Sequence, residues 1–396
     1  MRLFLNLSKQ GLFCALVALH ALLFISESTR AQNAPDSKKD TAQVKKHDST
    51  GFDRFNKKAE ALFKIIPVPI YSYSTDAGNI FGLAKFNLIH LSKKDTISKP
   101  SKLSEVFTVS TKGRINASVS TELVFHENKY VIISYLNYKK QPDYIAGFSN
   151  SLSRDSVTQV EYDRIKVVAT GLYLVAKNLY VGIGVDFNHY FSVTADSGSF
   201  VKNNNALGLA AGWCNGAGIA IAYDSRDNRY NAHHGTYIIG TSLFYGNWLG
   251  SAYTFSKYIL DARHFIEPWP KLKHVLAMQV TTTFADGNAP FMEYAQLGGD
   301  NQMRGYYQGA LRDNVLLDGQ VEYRVPVWNI FGAVAWVGCG QVQNSYSNLM
   351  LNQFHITYGA GLRIRVDTKN NTNMRFDMGF GSKGIQAFYI NFAEAF

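Results

Sequence analysis

The sequence predicts an all-β fold, a transmembrane antiparallel β-barrel of about 16 strands. Three observations lead there. An export signal opens the chain, and strand-length runs alternate apolar and polar residues over most of its remaining length. Outside the signal, no run approaches the ~20 apolar residues of a membrane-crossing helix. Composition agrees: Tyr and Phe number 23 and 26 and only 18% of residues are charged, yet mean hydropathy is near neutral. Strands with one apolar and one polar face average to such a value.

Residues 1–31 read as a cleaved signal peptide. Arg2 and Lys9 form its positive segment, residues 11–25 its apolar segment, and Thr29-Arg30-Ala31 a cleavage site in which Arg30 is unusual. Cys14 lies inside the apolar segment with no small residues before it, which argues against a lipoprotein cysteine. Residues 32–63 are polar and of mixed charge, with Lys38-Lys39-Asp40 and Lys45-Lys46-His47-Asp48 among them. They read as a disordered periplasmic tether, because they offer too little apolar surface to offset the entropy of ordering. Residues 64–396 are the expected barrel.

Candidate strands fall at 66–74, 79–91, 103–112, 115–126, 130–140, 160–176, 180–191, 216–224, 236–246, 252–264, 273–285, 314–325, 331–340, 355–366, 373–381 and 385–395. Each is bounded by turn residues, and the clearest runs have a period of two. In the seventh, Val181, Ile183, Val185 and Phe187 share a face. In the twelfth, Val315, Leu317, Val321 and Tyr323 face outward and Asp318, Gln320, Glu322 and Arg324 inward. In the fifteenth, Met374, Phe376, Met378 and Phe380 face outward and Arg375, Asp377 and Gly379 inward. A polar second face implies water inside, and inward glycines suit a wall closely approached by a folded-in loop. A soluble sandwich or propeller would expose edges or show a repeat, and no repeat is visible.

Between the eleventh and twelfth runs lies Gly298-Gly299-Asp300-Asn301-Gln302-Met303-Arg304-Gly305-Tyr306. Its Met303, Arg304, Gly305 and Tyr306 resemble the signature loop of the BamA/TamA-type outer-membrane assembly superfamily, also called the bacterial surface antigen family. The resemblance implies a long extracellular loop folded into the lumen, with Arg304 pairing to a carboxylate on the inner wall. Asp377 and Glu322 are the candidates by strand parity. A guanidinium can hold a carboxylate bidentately, which a lysine cannot reproduce. Trp336-Val337-Gly338-Cys339-Gly340 resembles a family strand reading aromatic-x-Asp-x-Gly, with Gly338 in place of the acid, and this shifts the pairing onto Asp377 or Glu322. Because the lumen should be wet, the pair is expected to matter more for function than for folding.

Two further segments resemble the family. Asp224, Arg226, Asp227 and Asn228, followed by Gly235, match a family turn whose role is structural, since Asp and Asn cap turn amides. Phe388, Ile390, Phe392 and Phe396 share a face at the end of the sequence and resemble the C-terminal signal by which outer-membrane barrels are assembled. These rings are expected on the bilayer side, with Glu394 breaking the pattern. Family barrels usually follow several periplasmic polypeptide-transport-associated domains. Residues 32–63 are too short for even one, so the chain departs from the family there.

The resemblance implies an integral barrel of the bacterial outer membrane, with an accessory or specialised role in assembling or translocating outer-membrane proteins or lipids. Its expected partners are outer-membrane lipids, together with nascent outer-membrane proteins or components of the assembly machinery. A passive pore or structural barrel plugged by the loop is the alternative. An outer-membrane lipid hydrolase with a dispersed Ser-His-acid set is a further one. No Gly-x-Ser-x-Gly elbow, Gly-rich phosphate loop or His-Glu-x-x-His is present, so neither catalysis nor a cofactor is expected. His233 and His234 invite a metal reading, but adjacent histidines in a turn diverge. The net charge is +10, or about +8 without Arg2, Lys9, Arg30 and Glu27. That excess suits anionic lipid head groups or a solvated lumen. No basic cluster with interleaved aromatics points to nucleic acid. Cys214 and Cys339 read as small residues on strands, and the sequence leaves open whether they meet.

Overall fold

The computed structural model describes residues 67–396 except 75–77, 93, 146, 149, 151–157, 197–198, 204–205, 310 and 369. The expected signal peptide at 1–31 and tether at 32–63 lie outside the described residues.

The strands are β1 (Val68–Ser74), β2 (Gly78–Ile89), β3 (Ser101–Ser110), β4 (Ile115–Phe125), β5 (Tyr130–Ile145), β6 (Gly147–Phe148), β7 (Thr158–Ala176), β8 (Leu179–Ala195), β9 (Gly212–Asp224), β10 (Gly235–Tyr245), β11 (Phe255–Trp269), β12 (His274–Gly287), β13 (Ala295–Leu297), β14 (Leu311–Asp313), β15 (Val315–Trp328), β16 (Phe331–Gln343), β17 (His355–Asp367), β18 (Thr372–Gly381) and β19 (Gln386–Phe392). All but β6, β13 and β14 form one closed antiparallel barrel in chain order, with β19 returning to β1. The expected architecture is therefore the observed one, and the signature loop lies between the eleventh and twelfth barrel strands, β12 and β15.

The departures have local causes. β5 continues to Ile145, beyond the expected end at 140, through Gln141, Pro142 and Asp143. There apolar–polar alternation fades, and pairing with β7 alone marks the strand. β6, β13 and β14 build a small separate sheet, with β13 antiparallel to β14 and β14 parallel to β6. Segments of two or three residues are too short to show a period.

The outer wall is apolar. Ile183, Ile219, Ile356 and Leu362 are all more than half exposed. Trp248 and Tyr346 lie exposed beyond one end of the strands, and Trp269 and Trp328 lie exposed at the other. This is the apolar band flanked by two aromatic girdles that a bilayer-spanning barrel presents to lipid.

The closure is uneven. β1 pairs with β2 from Val68 to Ser74, and β19 pairs with β18 from Gln386 to Phe392. Yet among the described residues β1 and β19 meet at a single register position, Ser74 opposite Ala387. Towards the end where β1 begins, an aromatic contact replaces backbone pairing: Phe392 stacks on Phe86 of β2 with ring centroids 5.5 Å apart.

Candidate functional site: the folded-in loop and its arginine cluster

Residues 288–314 leave β12, cross the lumen and return into β15. Their apolar side chains Leu297, Met303, Tyr306 and Leu311 bury against Leu316 and Val342 of the wall. Glycine chemistry lets the backbone come that close. Gly305 has φ +114°, a conformation that L side chains rarely adopt, and its α-carbon lies against the β18 backbone at Gly379 and Phe380. A Cβ on Gly379 would stand 2.6 Å from the carbonyl carbon of Arg304. The inward glycine thus marks where the loop touches the wall.

Seating at that point carries Arg304 between two strands. Its Nη2 donates to Glu322 Oε2 of β15 at 2.6 Å and its Nη1 to Asp377 Oδ2 of β18 at 2.8 Å. Both candidate acids are therefore engaged. The guanidinium also stacks over the Trp336 ring, 3.7 Å from its centroid. Around this core, Arg324 Nε donates to Glu322 at 2.7 Å and Arg363 Nη1 to Asp377 at 2.6 Å. Arg363 Nε reaches Glu394 at 2.6 Å, and Arg375 Nη1 reaches Asp377 at 3.1 Å. Four guanidiniums surround three carboxylates, Glu322, Asp377 and Glu394. Arg304, Glu322 and Asp377 are each 0% exposed. Water is expected around the pair from the sequence, but the loop and Trp336 enclose it. Each of the three acids lies within ion-pair distance of at least two guanidiniums, as burial demands. Nε of Arg304 and of Arg375 and one Nη each of Arg324 and Arg363 have no acceptor among the described residues.

The rest of the motif is tied down as firmly. Thr357 Oγ1 donates to the Arg304 carbonyl. The amide of Gly305 donates to the Tyr389 hydroxyl at 3.0 Å, and the Tyr306 hydroxyl donates to the Ile356 carbonyl at 3.0 Å. Arg375 reaches the Asp300 carbonyl and the Asn301 side chain. At the far side of the loop, Glu293 accepts from Lys257 Nζ at 2.6 Å, and Arg312 and Tyr307 hold Asp143 at 3.3 and 2.6 Å. The loop is pinned to the walls on β5, β11, β15, β17, β18 and β19. Gly338, which stands where the family strand carries an acid, has no room for one, since its Cβ would meet Gly319 O at 2.9 Å. Sequence reasoning missed Trp336 as the stacking platform and Arg324 and Arg363 as co-ligands of the acids. The inward parity of Arg324 and Arg375 was legible; their convergence was not.

The turn after β9 fills the other mouth. Arg226 donates to Asp224 through Nε at 2.9 Å and Nη2 at 3.0 Å. Asp227 accepts the amides of His233 and His234, and Asn228 those of Tyr230 and Asn231. Gly235, at φ +108°, passes so close to Ser225 that a Cβ would stand 2.4 Å from its carbonyl oxygen. His233 turns to Glu267 at 2.5 Å while the His234 side chain stays 69% exposed, so the two rings diverge. Cys214 is buried on β9, Cys339 is exposed on β16, and both thiols are free.

The end of the chain corrects one expectation. Ala393 takes φ +62° and breaks β19 after Phe392. Phe396 then does not lie with Phe388 and Ile390 on the outer face. It is buried among Ala232, Phe265 and Ala277, beneath the Arg324 guanidinium at 5.4 Å. Glu394, which broke the apolar pattern, is the reason: its carboxylate faces Arg363 inside the barrel. Phe392 likewise turns towards Phe86 at the seam.

The comparisons agree with this architecture. Among solved structures, a Haemophilus ducreyi BamA lacking its first three POTRA domains matches with a TM-score of 0.52 at 12% identity, covering 81% of this chain and 69% of that one. CdiB from Escherichia coli matches with a TM-score of 0.53 at 8% identity, covering 82% and 62%. At such identities the likeness speaks for the fold, and the chain spans only about two thirds of either protein's length. No curated protein sequence matches. A family model described as the Omp85 superfamily domain matches residues 107–396, from β3 to the end of the sequence, and the chain belongs to that superfamily.

Proposed function

We propose that this barrel is an accessory or specialised factor that assembles or translocates outer-membrane proteins or lipids, working at the seam between β1 and β19. The seam carries the reading. A strand edge with unsatisfied amides and carbonyls templates pairing with another strand. Along the rest of the wall neighbouring strands are laddered over seven or more residues, whereas among the described residues β1 and β19 share one register position, beside the stack of Phe392 on Phe86 of β2. Parting them costs few hydrogen bonds. The buried arginine cluster holds β15, β17 and β18 to the loop, so the wall beside the seam stays rigid while the seam itself opens. In this reading Arg304 is a latch that fixes the loop, and Phe388, Ile390 and Phe392 belong to the segment by which the barrel is itself recognised during assembly.

A photo-crosslinking residue tests it. Placed at Tyr71 on β1, it should capture other outer-membrane proteins or lipids in native membranes, while the same group at Ile183 on the opposite wall should capture far less. Equal profiles at the two positions contradict a seam-centred role. The competing reading, a passive pore with a plugging loop, requires a stable, large single-channel conductance from the purified protein; the cross-lumen ties of residues 288–314 speak for a low one.

A further inference from the structure

Inside the barrel, beneath the loop, lies a cavity of about 1400 Å³. Its lining is divided. Near the seam it is apolar, with Ile70, Ile80, Phe86 and Val106 on one side and Ala387 on the other. The wall formed by β5 and β7 is cationic: Lys139 and Arg164 are direct cross-strand partners, and Asn137 faces Lys166 in the next inward row.

Most cations that line the cavity have an acid beside them. Lys166 has Asp186 at 3.2 Å, Lys257 has Glu293 at 2.6 Å, and Arg229 has Glu122. Lys139 and Arg164 differ. Neither has a carboxylate within ion-pair distance among the described residues, and Arg164 donates only to Asn137 Oδ1 at 3.1 Å while its buried Nε has no acceptor. Asp143, the acid further along the Lys139 strand, attracts Lys139 from beyond ion-pair distance and is itself held by Arg312, Tyr162 and Tyr307. Like charges directly opposite one another in a sheet are destabilising, so this pair is an arrangement that an anion would relieve.

We propose that Lys139 and Arg164 bind the phosphate-bearing head group of an anionic lipid whose acyl chains lie along the apolar strip towards the β1–β19 seam. Guanidinium and ammonium together suit phosphate, the first as a planar fork and the second as a point charge. A free anion would satisfy the cations but leaves the apolar strip without purpose. A neutral lipid would fill the strip and leave the cations opposed. The site stands on the lumen lining alone and does not depend on whether the barrel handles client proteins.

Titration calorimetry on the purified full chain in detergent tests this with three probes: dihexanoylphosphatidic acid, dihexanoylphosphatidylcholine and inorganic phosphate. The phosphatidic acid should bind, and the other two should bind about tenfold more weakly or worse. The double variant Lys139→Gln, Arg164→Gln should weaken the phosphatidic acid by about tenfold or more. Its ligand-free melting temperature should be equal or higher, since the substitution removes a repulsion. Should the double variant fail to fold, Lys139→Gln alone serves, with a smaller loss expected. Unchanged affinity in the variants overturns the proposal. So does inorganic phosphate binding as tightly as the lipid, or a clear drop in ligand-free stability, which would show the two cations to be structural.

Discussion

At the scale of single residues, the account rests on what surrounds Arg304. Breaking a buried ion pair by removing one partner costs about 3–5 kcal/mol when the other charge is left alone. Here each acid keeps a second guanidinium, Arg324 for Glu322 and Arg363 for Asp377. Arg304→Ala should therefore fall below that range, with a barrel that still forms and a loop that proteases reach. Arg304→Lys should loosen the loop nearly as much, because an ammonium cannot span Glu322 and Asp377 while stacking on Trp336. Limited proteolysis within 288–314 checks both, and a double-mutant cycle with Asp377 measures the coupling. The inward glycine gives an independent check. Gly379→Ala inserts a methyl into the Arg304 backbone and should cost about 1–3 kcal/mol as overpacking. Gly171→Ala, where nothing lies within 4 Å of the added carbon, should be near neutral in a urea melt. Equal effects at the two positions would mean that the loop does not rest on Gly379.

At the scale of elements, period-two alternation made the barrel strands legible, because one face meets lipid and the other the lumen. Asp377 and Glu322 were readable as inward for the same reason. What stayed hidden shares a physical cause: parity assigns a face but not a neighbour. Trp336 was visible as part of a family-like strand but not as the ring beneath Arg304. The inward turn after Phe392 was invisible because it depends on Glu394 meeting Arg363 from another strand, a long-range contact without a local signature. That turn is testable. Phe396→Ala should cost about 3–5 kcal/mol as a buried aromatic deletion, whereas Phe388→Ala on the outer face should cost under about 1 kcal/mol. Thermal melts in detergent that rank the two the other way round would return Phe396 to the bilayer side. The uneven closure predicts uneven protection as well: backbone amides of β19 that point towards β1 should exchange with solvent faster than those of β18, since local opening follows the number of ladder bonds to be broken.

At the scale of the whole molecule, the barrel combines a rigid side with a weak one. The loop, the arginine cluster and the turn at 225–234 tie distant parts of the wall together across the lumen, β19 included through Tyr389 and Asn391, whereas among the described residues no such tie reaches β1. The proposed function is exercised at the β1–β19 seam, and one measurement addresses it most directly. Cysteines introduced at Ser74 and Ala387, the one register position shared by the two strands among the described residues, would lock the seam once oxidised. Cys339 is exposed and would be replaced beforehand to avoid mispairing. The account predicts that the locked barrel still migrates differently when boiled and unboiled. It also predicts that cells whose only copy is locked show the altered outer-membrane composition of the deletion strain, and that reductant reverses it. A locked barrel that leaves the outer-membrane protein and lipid composition identical to wild type would contradict a function that works by opening the seam.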